Sequence, residues 1–161
     1  DGVGDFSYDL GLIEGRPHGG ALIVSDWLRD ELTVIVSSGH PLAGEPTCSI
    51  DRLLTAGWVV REPGSGTRDS LDRAMLPWLD RWRIEHVLQQ PQAIIELVAV
   101  TELVGCISRV AAQSAIDRGA VVPLNIPELD LNRRFYLIRH RSKLCSVAMS
   151  EMLAICSEFA E

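Results

Sequence analysis

The sequence lacks the long apolar runs and the basic surface that mark several common classes of protein. In its 161 residues no apolar run approaches the roughly 18 residues needed to cross a membrane. No basic segment followed by an apolar stretch opens the chain, so we expect neither a signal peptide nor a membrane partner. The formal net charge is −7, which argues against nucleic-acid binding by this segment, because phosphate contacts need a basic face.

The cysteines and histidines show no catalytic or metal-binding spacing. The four cysteines form no CxxC pair, so neither a zinc knuckle nor a thioredoxin-like motif is indicated. Cys145, Met149, Met152, Cys156 and Phe159 recur at helical spacing, which predicts one apolar helix face with both cysteines in the core. Free buried thiols fit a reducing cytosol, so we expect a cytoplasmic protein. Since the histidines are scattered, we predict no catalytic residues, no metal and no cofactor.

One basic cluster stands out against the acidic balance of the chain. Its members are Arg133, Arg134, Arg139, His140, Arg141 and Lys143. Because clustered charges are most often solvated, we expect a solvated rim of strand and loop at this place.

Short apolar strands alternate with helical stretches, which predicts an α/β fold with a largely parallel sheet. The predicted strands are 9–13, 32–36, 58–60, 87–89, 104–107, 121–124 and 135–138. The predicted helices are 50–54, 69–83, 91–100, a helix capped by Ser108 that runs to about 118, and 146–159, with Pro77 expected to kink or divide the second. Loose connections at 16–29 and 124–132 separate a middle portion from two outer pieces. The outer pieces are too small for a stable lobe, so they form an appendage or belong to a fragment, as the missing starting methionine also indicates.

The segment Arg61-Glu62-Pro63-Gly64-Ser65-Gly66-Thr67-Arg68 connects a predicted strand to a predicted helix. Such a turn directs backbone N–H groups and the positive end of the helix dipole at one point, which favours an anion. Ser65, Thr67 and Arg68 can add charge-assisted hydrogen bonds there. Gly64 and Gly66 supply the close backbone approach, so all five residues from 64 to 68 are candidate ligand contacts. The alternative is an ordinary glycine turn in which Thr67 is the helix N-cap.

Several motifs, in order along the chain, resemble the effector-binding domain of LysR-type transcriptional regulators. Residues 9–15, DLGLIEG, are similar to the family's Asp-Leu-Gly-Leu strand. Residues 30–36, DELTVIV, followed by HPLA at 40–43, are similar to its D-E-L and H-P-L-A signature. Similarity continues through the ligand-loop segment at 58–68, the helix-to-strand passage at 98–109 and the return segment at 131–141.

The resemblance implies a periplasmic-binding-protein-like fold of two α/β lobes, joined by two crossovers, with the ligand in the cleft. Residues 1–26 would then be the end of lobe one, 27–126 all of lobe two, and 127–161 the C-terminal return to lobe one. The first part of lobe one would be missing, together with a linker helix and a winged helix-turn-helix. DNA would be bound only through that missing head, and the protein would form a homodimer or homotetramer.

The resemblance also implies a sensor of a small anionic or carboxylate effector. The 64–68 loop would face Glu14 and Gly15 from lobe one, although the Glu14 carboxylate would repel an anion that carries no donor. Arg68 would either hold the effector or orient the loop through an ion pair. Thr101 stands where the family usually has glycine, and would narrow the cleft or add a hydroxyl to the site; alternatively it is a helix-terminal residue facing solvent. Two other classes stay open: a transport-type solute receptor, and a transferase that uses the loop for a phosphate.

Overall fold

The computed structural model describes residues 2–15, 20–45 and 47–159. The strands in this part of the chain are β1 (Leu10–Glu14), β2 (Leu22–Ser37), β3 (Trp58–Arg61), β4 (Ile84–Leu88), β5 (Val104–Ser108), β6 (Val121–Leu124) and β7 (Asn132–His140). The helices are α1 (Ile50–Leu53), α2 (Gly66–Met75), α3 (Pro91–Ala99), α4 (Arg109–Asp117) and α5 (Val147–Glu158), with a 3₁₀ turn at Leu76–Trp78. Among the residues described, no helix is both long and apolar enough to cross a membrane.

The chain divides into two compact units. One consists of Asp1–Asp30 with Arg133–Glu161, and the other is Glu31–Asn132. The divisions expected from the sequence, after residues 26 and 126, differ from these by a few residues. The long strand β2 belongs to both units, since its first residues precede the division and its last ones follow it.

The larger unit, Glu31–Asn132, is built on a mixed sheet with strand order β6-β2-β5-β3-β4. Strand β3 runs parallel to both of its neighbours, β5 and β4. Strand β2 runs antiparallel to β5 and β6, so the sheet is less parallel than we predicted. The reason is connectivity: α2, α3 and α4 give β3 to β6 the helical crossovers that parallel strands need, whereas only the four-residue α1 follows β2.

Both faces of this sheet are covered by helices, because successive strand residues point to opposite sides. On one face Trp58 and Val60 pack with side chains of α1 and α2. On the other face Val59, between them in sequence, packs with side chains of α3 and α4. Continuous apolar strands such as β3 are typical of sheets buried on both sides.

The smaller unit contains β1, β7, the first part of β2, and α5. Strand β7 lies between β1 and β2, and is antiparallel to β1. The Trp27 indole N–H of β2 donates to the Cys156 carbonyl of α5 (2.8 Å) and so fixes that helix. Cys156 and Met149 are buried as predicted, whereas Met152 and Phe159 of the same predicted face are exposed, and so is Cys145. It precedes α5, which begins at Val147, and is therefore not on the buried face of the helix.

We expected the basic cluster to be solvated, but Arg133 is buried, with only 6% of its side chain exposed. Its Nε donates to Asp30 (2.6 Å) and its Nη1 to Glu14 (2.7 Å). A buried guanidinium requires such partners. The exposed neighbour Arg134 forms an ion pair with Asp26 (2.7 Å) and agrees better with the expectation.

Two other sequence predictions need correction. The connection expected at 16–29 is a strand from Leu22 onward, because backbone pairing with the distant β7 stabilises a segment whose own pattern is half polar; residues 16–19 lie outside the described residues. The helix expected at 69–83 begins at Gly66 and ends at Met75. Pro77 follows in the 3₁₀ turn, where its missing N–H and its ring do not permit the helix to continue.

Candidate functional site

The Arg61–Arg68 segment forms the strand-to-helix turn that the sequence predicted. Gly64 adopts a left-handed conformation with φ of +87°, which glycine tolerates and other residues seldom do. The Ser65 N–H then donates to the Glu62 carbonyl (3.2 Å), and the Asp69 N–H to the Ser65 carbonyl (2.9 Å). Ser65 is therefore the N-cap of α2, and the alternative in which Thr67 caps the helix is wrong.

The first turn of α2 has the character of an anion-binding site. N–H groups at the start of a helix have no acceptor within the helix and coincide with the positive end of its dipole. Ser65 is 9% exposed, and within the described residues its hydroxyl makes no capping hydrogen bond. Thr67 is more deeply buried, at 4% exposed. The turn thus presents backbone donors and a serine hydroxyl at one place.

Charges beside the turn are neutralised within the protein. The Arg61 guanidinium donates to both carboxylate oxygens of Glu62 (2.8 and 3.0 Å), and this hydrogen bonding holds the pKa of Glu62 below its usual value. Arg68 donates to Asp72 (2.6 Å) and to the Arg61 carbonyl (3.1 Å). The Arg68 charge therefore has a partner already, as in the alternative in which Arg68 orients the loop through an ion pair and does not hold the ligand.

The strand order places a second helix N-terminus next to the first. Strands β3 and β5 are parallel neighbours, so their carboxyl ends lie at the same edge of the sheet. The chain leaves β3 into α2 on one face and leaves β5 into α4 on the other face. This is a topological switch point, the place where open α/β sheets bind ligands.

Ser108 and Arg109 are candidate site residues that sequence reasoning did not assign to a site. Ser108 ends β5 and is the N-cap of α4, as Ser65 is of α2. A cavity of about 290 Å³ at this end of β5 is lined by Arg109, together with Thr33 and Asn125. The signal was present in the sequence, since Ser108 follows an apolar run and precedes a helical pattern, but only the strand order brings it beside the Ser65 turn.

Thr101 does not belong to this edge. It precedes β5 by three residues, whereas the Ser65 turn follows the parallel strand β3. The two therefore lie at opposite ends of the sheet, and the structure does not bring them together. The Thr101 hydroxyl donates to the Leu97 carbonyl (2.7 Å) and accepts from the Leu103 N–H (3.3 Å), so it stabilises the end of α3.

Thr101 instead lines a different cavity of the larger unit, of about 580 Å³, together with His40 and Arg83. His40 is 8% exposed. Its Nδ1 accepts from the Leu42 N–H (3.1 Å), and its Nε2 lies 3.2 Å from the Glu102 carbonyl. Because Nδ1 is the acceptor, Nε2 carries the proton and donates. His40 is thus a structural member of the turn after β2.

Glu14 and Gly15 belong to the smaller unit. Gly15 follows β1 in a left-handed conformation, with φ of +80°, and its N–H faces the Arg134 carbonyl at 3.5 Å. The Glu14 carboxylate is paired with Arg133. The repulsion of an anion that we expected from Glu14 is therefore reduced by a neighbouring cation.

Comparison with known proteins gives similarities over most or all of the chain. A family model described as the LysR substrate binding domain matches residues 1–161. The uncharacterized HTH-type transcriptional regulator YeiE of Escherichia coli (strain K12) is 34% identical over 94% of this chain and 52% of its own. The HTH-type transcriptional regulator CysL of Bacillus subtilis (strain 168) is 30% identical over 81% of this chain and 44% of its own. The chain spans about half the length of these curated relatives.

Two solved structures have closely similar folds. The regulatory domain of CcmR from Synechocystis PCC6803, in complex with 2-PG, matches with a TM-score of 0.88 and 25% identity over 99% of this chain and 77% of that one. The effector binding domain of QuiR, in complex with shikimate, matches with a TM-score of 0.85 and 18% identity over 99% of this chain and 75% of that one. Each of those two domains was solved with a small molecule bound.

Proposed function

Because this chain belongs to the LysR substrate-binding domain family, we propose that it senses a small anionic or carboxylate effector for a DNA-binding transcriptional regulator. Its fold is the periplasmic-binding-protein-like α/β fold of LysR regulatory domains. The family and the relatives are transcriptional regulators and not enzymes. The solute receptor and the transferase that the sequence left open therefore find no support.

One observation carries the choice of site: two serine N-caps, Ser65 and Ser108, lie at the carboxyl ends of neighbouring parallel strands where the helices diverge. Two helix N-termini direct partial positive charge at this edge, and their serine hydroxyls can donate to an oxyanion. Gly64 and Gly66 add no side chains that would obstruct its approach. We propose that a carboxylate or phosphate group of the effector is bound there.

The complexes of similar domains with small molecules support a small effector without identifying it for this chain. CcmR was solved with 2-PG and QuiR with shikimate. Contact of Glu14 and Gly15 with the same effector stays a prediction. The effector would favour whichever arrangement of the protein binds it better, by no more than its difference in affinity for the two arrangements.

DNA binding would be a property of the longer protein. The relatives are HTH-type regulators about twice as long as this chain. The net charge of −7 makes this segment poorly suited to binding the DNA phosphates itself. We propose that the whole regulator is a cytoplasmic homodimer or homotetramer in which the effector changes the spacing of the DNA-binding heads.

Thermal-shift measurements with small carboxylates, phosphate and sulfate test the site. A ligand present at a hundred times its dissociation constant should stabilise the chain by about 2.7 kcal/mol. Ser65→Ala and Ser108→Ala should each reduce that shift. Ser49→Ala is the matched control, since Ser49 is the N-cap of α1 and also makes no capping bond in the described structure. Equal shifts in wild type and both site variants would reject this edge as the binding site.

A further inference from the structure

The Arg68 side chain is mostly buried, with 15% of it exposed. Its guanidinium joins two parts of the chain through different nitrogens. Nε donates to Asp72, one helical turn further along α2 (2.6 Å), and Nη1 donates to the carbonyl of Arg61, the last residue of β3 (3.1 Å). The end of the strand and the start of the helix are therefore tied together across the turn.

The planar group also lies over an aromatic surface that is itself fixed. The Arg68 Cζ is 5.8 Å from the centroid of the Trp82 ring. Trp82 is 9% exposed and meets the fully buried Trp58 edge to face, with centroids 5.7 Å apart. A lysine could not reproduce this arrangement, because its ammonium is a point charge without a planar fork that stacks and donates in two directions.

The turn between these anchors carries the donors of the proposed site. Its backbone leaves Arg61, passes Gly64 in the left-handed region, and reaches Ser65, the N-cap, before α2 begins at Gly66. Movement of the Arg61 carbonyl relative to α2 would rotate those donors away from a common point. Donors contribute to anion binding only when they are held in the required geometry.

We infer that Arg68 is a positioning residue: held by Asp72 and Trp82, it fixes the turn that binds the effector and does not itself bind the effector. This inference rests on the proposed function, since it concerns the same site. It also predicts that Asp72 favours anion binding, although the negative charge of its carboxylate by itself repels an anion.

The sign of the Asp72→Asn effect separates the two roles of Arg68. If Arg68 bound the anion directly, loss of the Asp72 charge would free the guanidinium and tighten binding. If Arg68 positions the turn, the same substitution loosens its anchor, and binding of the probe weakens by about three- to tenfold, as expected when one charge-assisted hydrogen bond is replaced by a weaker neutral one. The probe is inorganic sulfate, whose charge is constant near pH 7, measured by calorimetric titration of the whole chain.

Asp69→Asn is the matched control, because Asp69 is an exposed carboxylate in the same first turns of α2. Removing its charge should tighten sulfate binding or leave it unchanged under either role. Arg68→Lys should weaken binding as much as Arg68→Gln if position matters, and much less if charge alone matters. Tighter binding in Asp72→Asn, or full binding in Arg68→Lys, would overturn the inference.

A measurement without ligand keeps the inference separate from the proposed function. Amide hydrogen exchange over residues 62–67 should be about three- to tenfold faster in Asp72→Asn and Arg68→Lys than in wild type and Asp69→Asn. If wild type binds no sulfate, the anion site is contradicted, while faster exchange still supports the positioning role. Unchanged exchange in both variants would refute that role whether or not sulfate binds.

Discussion

Replacing His40 should destabilise the larger unit by an amount that follows from its two hydrogen bonds. The imidazole is 8% exposed, accepts from the Leu42 N–H and donates to the Glu102 carbonyl. Each such bond contributes about 1 kcal/mol, and a buried group left unpaired costs about 1–3 kcal/mol. Because water will reach part of the vacated space, we expect His40→Ala to lower the free energy of unfolding by about 2–4 kcal/mol.

An asparagine at the same position distinguishes this account from a general loss of packing. The bond between the Leu42 N–H and the His40 Nδ1 spans two residues, and an asparagine side-chain oxygen can accept in the same way within an Asx-turn. His40→Asn should therefore recover about 1 kcal/mol relative to His40→Ala. Urea unfolding followed by tryptophan fluorescence measures both.

The matched control is His86, an exposed histidine of β4 that lines the same cavity. His86→Ala should change stability by no more than about 0.5 kcal/mol. The reasoning fails if His40→Ala is as stable as wild type, or if His40→Asn is no better than His40→Ala.

Three further predictions concern packing, thiol reactivity and pH. Gly105→Ala should destabilise the chain by about 1–3 kcal/mol in the same urea assay, because its new Cβ would lie 2.9 Å from an α3 methyl group. The control is Gly39→Ala, whose new Cβ would meet open space, so its stability should be close to that of wild type. One thiol, Cys145, should react rapidly with a disulfide reagent in the native protein, because the other three are buried, and a second rapid thiol would contradict the packing. Arg61→Met should raise the pKa of Glu62 toward its usual value in a carboxyl NMR titration, since hydrogen bonding to Arg61 lowers that pKa in the folded protein. The stabilisation of the fold by this pair is present above the usual carboxyl range and is lost as pH falls through the lowered pKa of Glu62. An unchanged titration would exclude Arg61 as the cause of the lowered pKa.

The elements that sequence reasoning located well are those whose signals are local. Strand β3 is an uninterrupted apolar run, and β6 was predicted with the bounds that it has. Pro91 begins α3, and Gly119 follows α4 with φ of +66°. Each of these signals depends on a few adjacent residues, as does the left-handed Gly64 of the 61–68 turn.

The features that sequence reasoning missed depend on partners far along the chain. Arg133 appeared to belong to a solvated rim, yet it is buried by carboxylates 103 and 119 residues away. The first part of β2 has a half-polar sequence, and this segment forms a strand only because it pairs with β7. Thr101 was placed in the site because a local pattern does not reveal which edge of a sheet a residue occupies. Ser108 was not assigned to the site for the same reason, since the sequence alone does not give the strand order.

Pairing of the charges around the 61–68 turn would suit the proposed role of this turn in a reversible sensor. An unpaired arginine at the site would bind anions of many kinds strongly, because its full charge acts over several ångströms. Here Arg61 and Arg68 are each paired with a carboxylate, so binding would depend on short-range backbone and hydroxyl donors whose directions are fixed. Such donors discriminate by shape, since a poorly placed oxygen leaves a buried donor unpaired and loses affinity. Selectivity would therefore be set by how firmly the turn is held, which is the role inferred for Arg68.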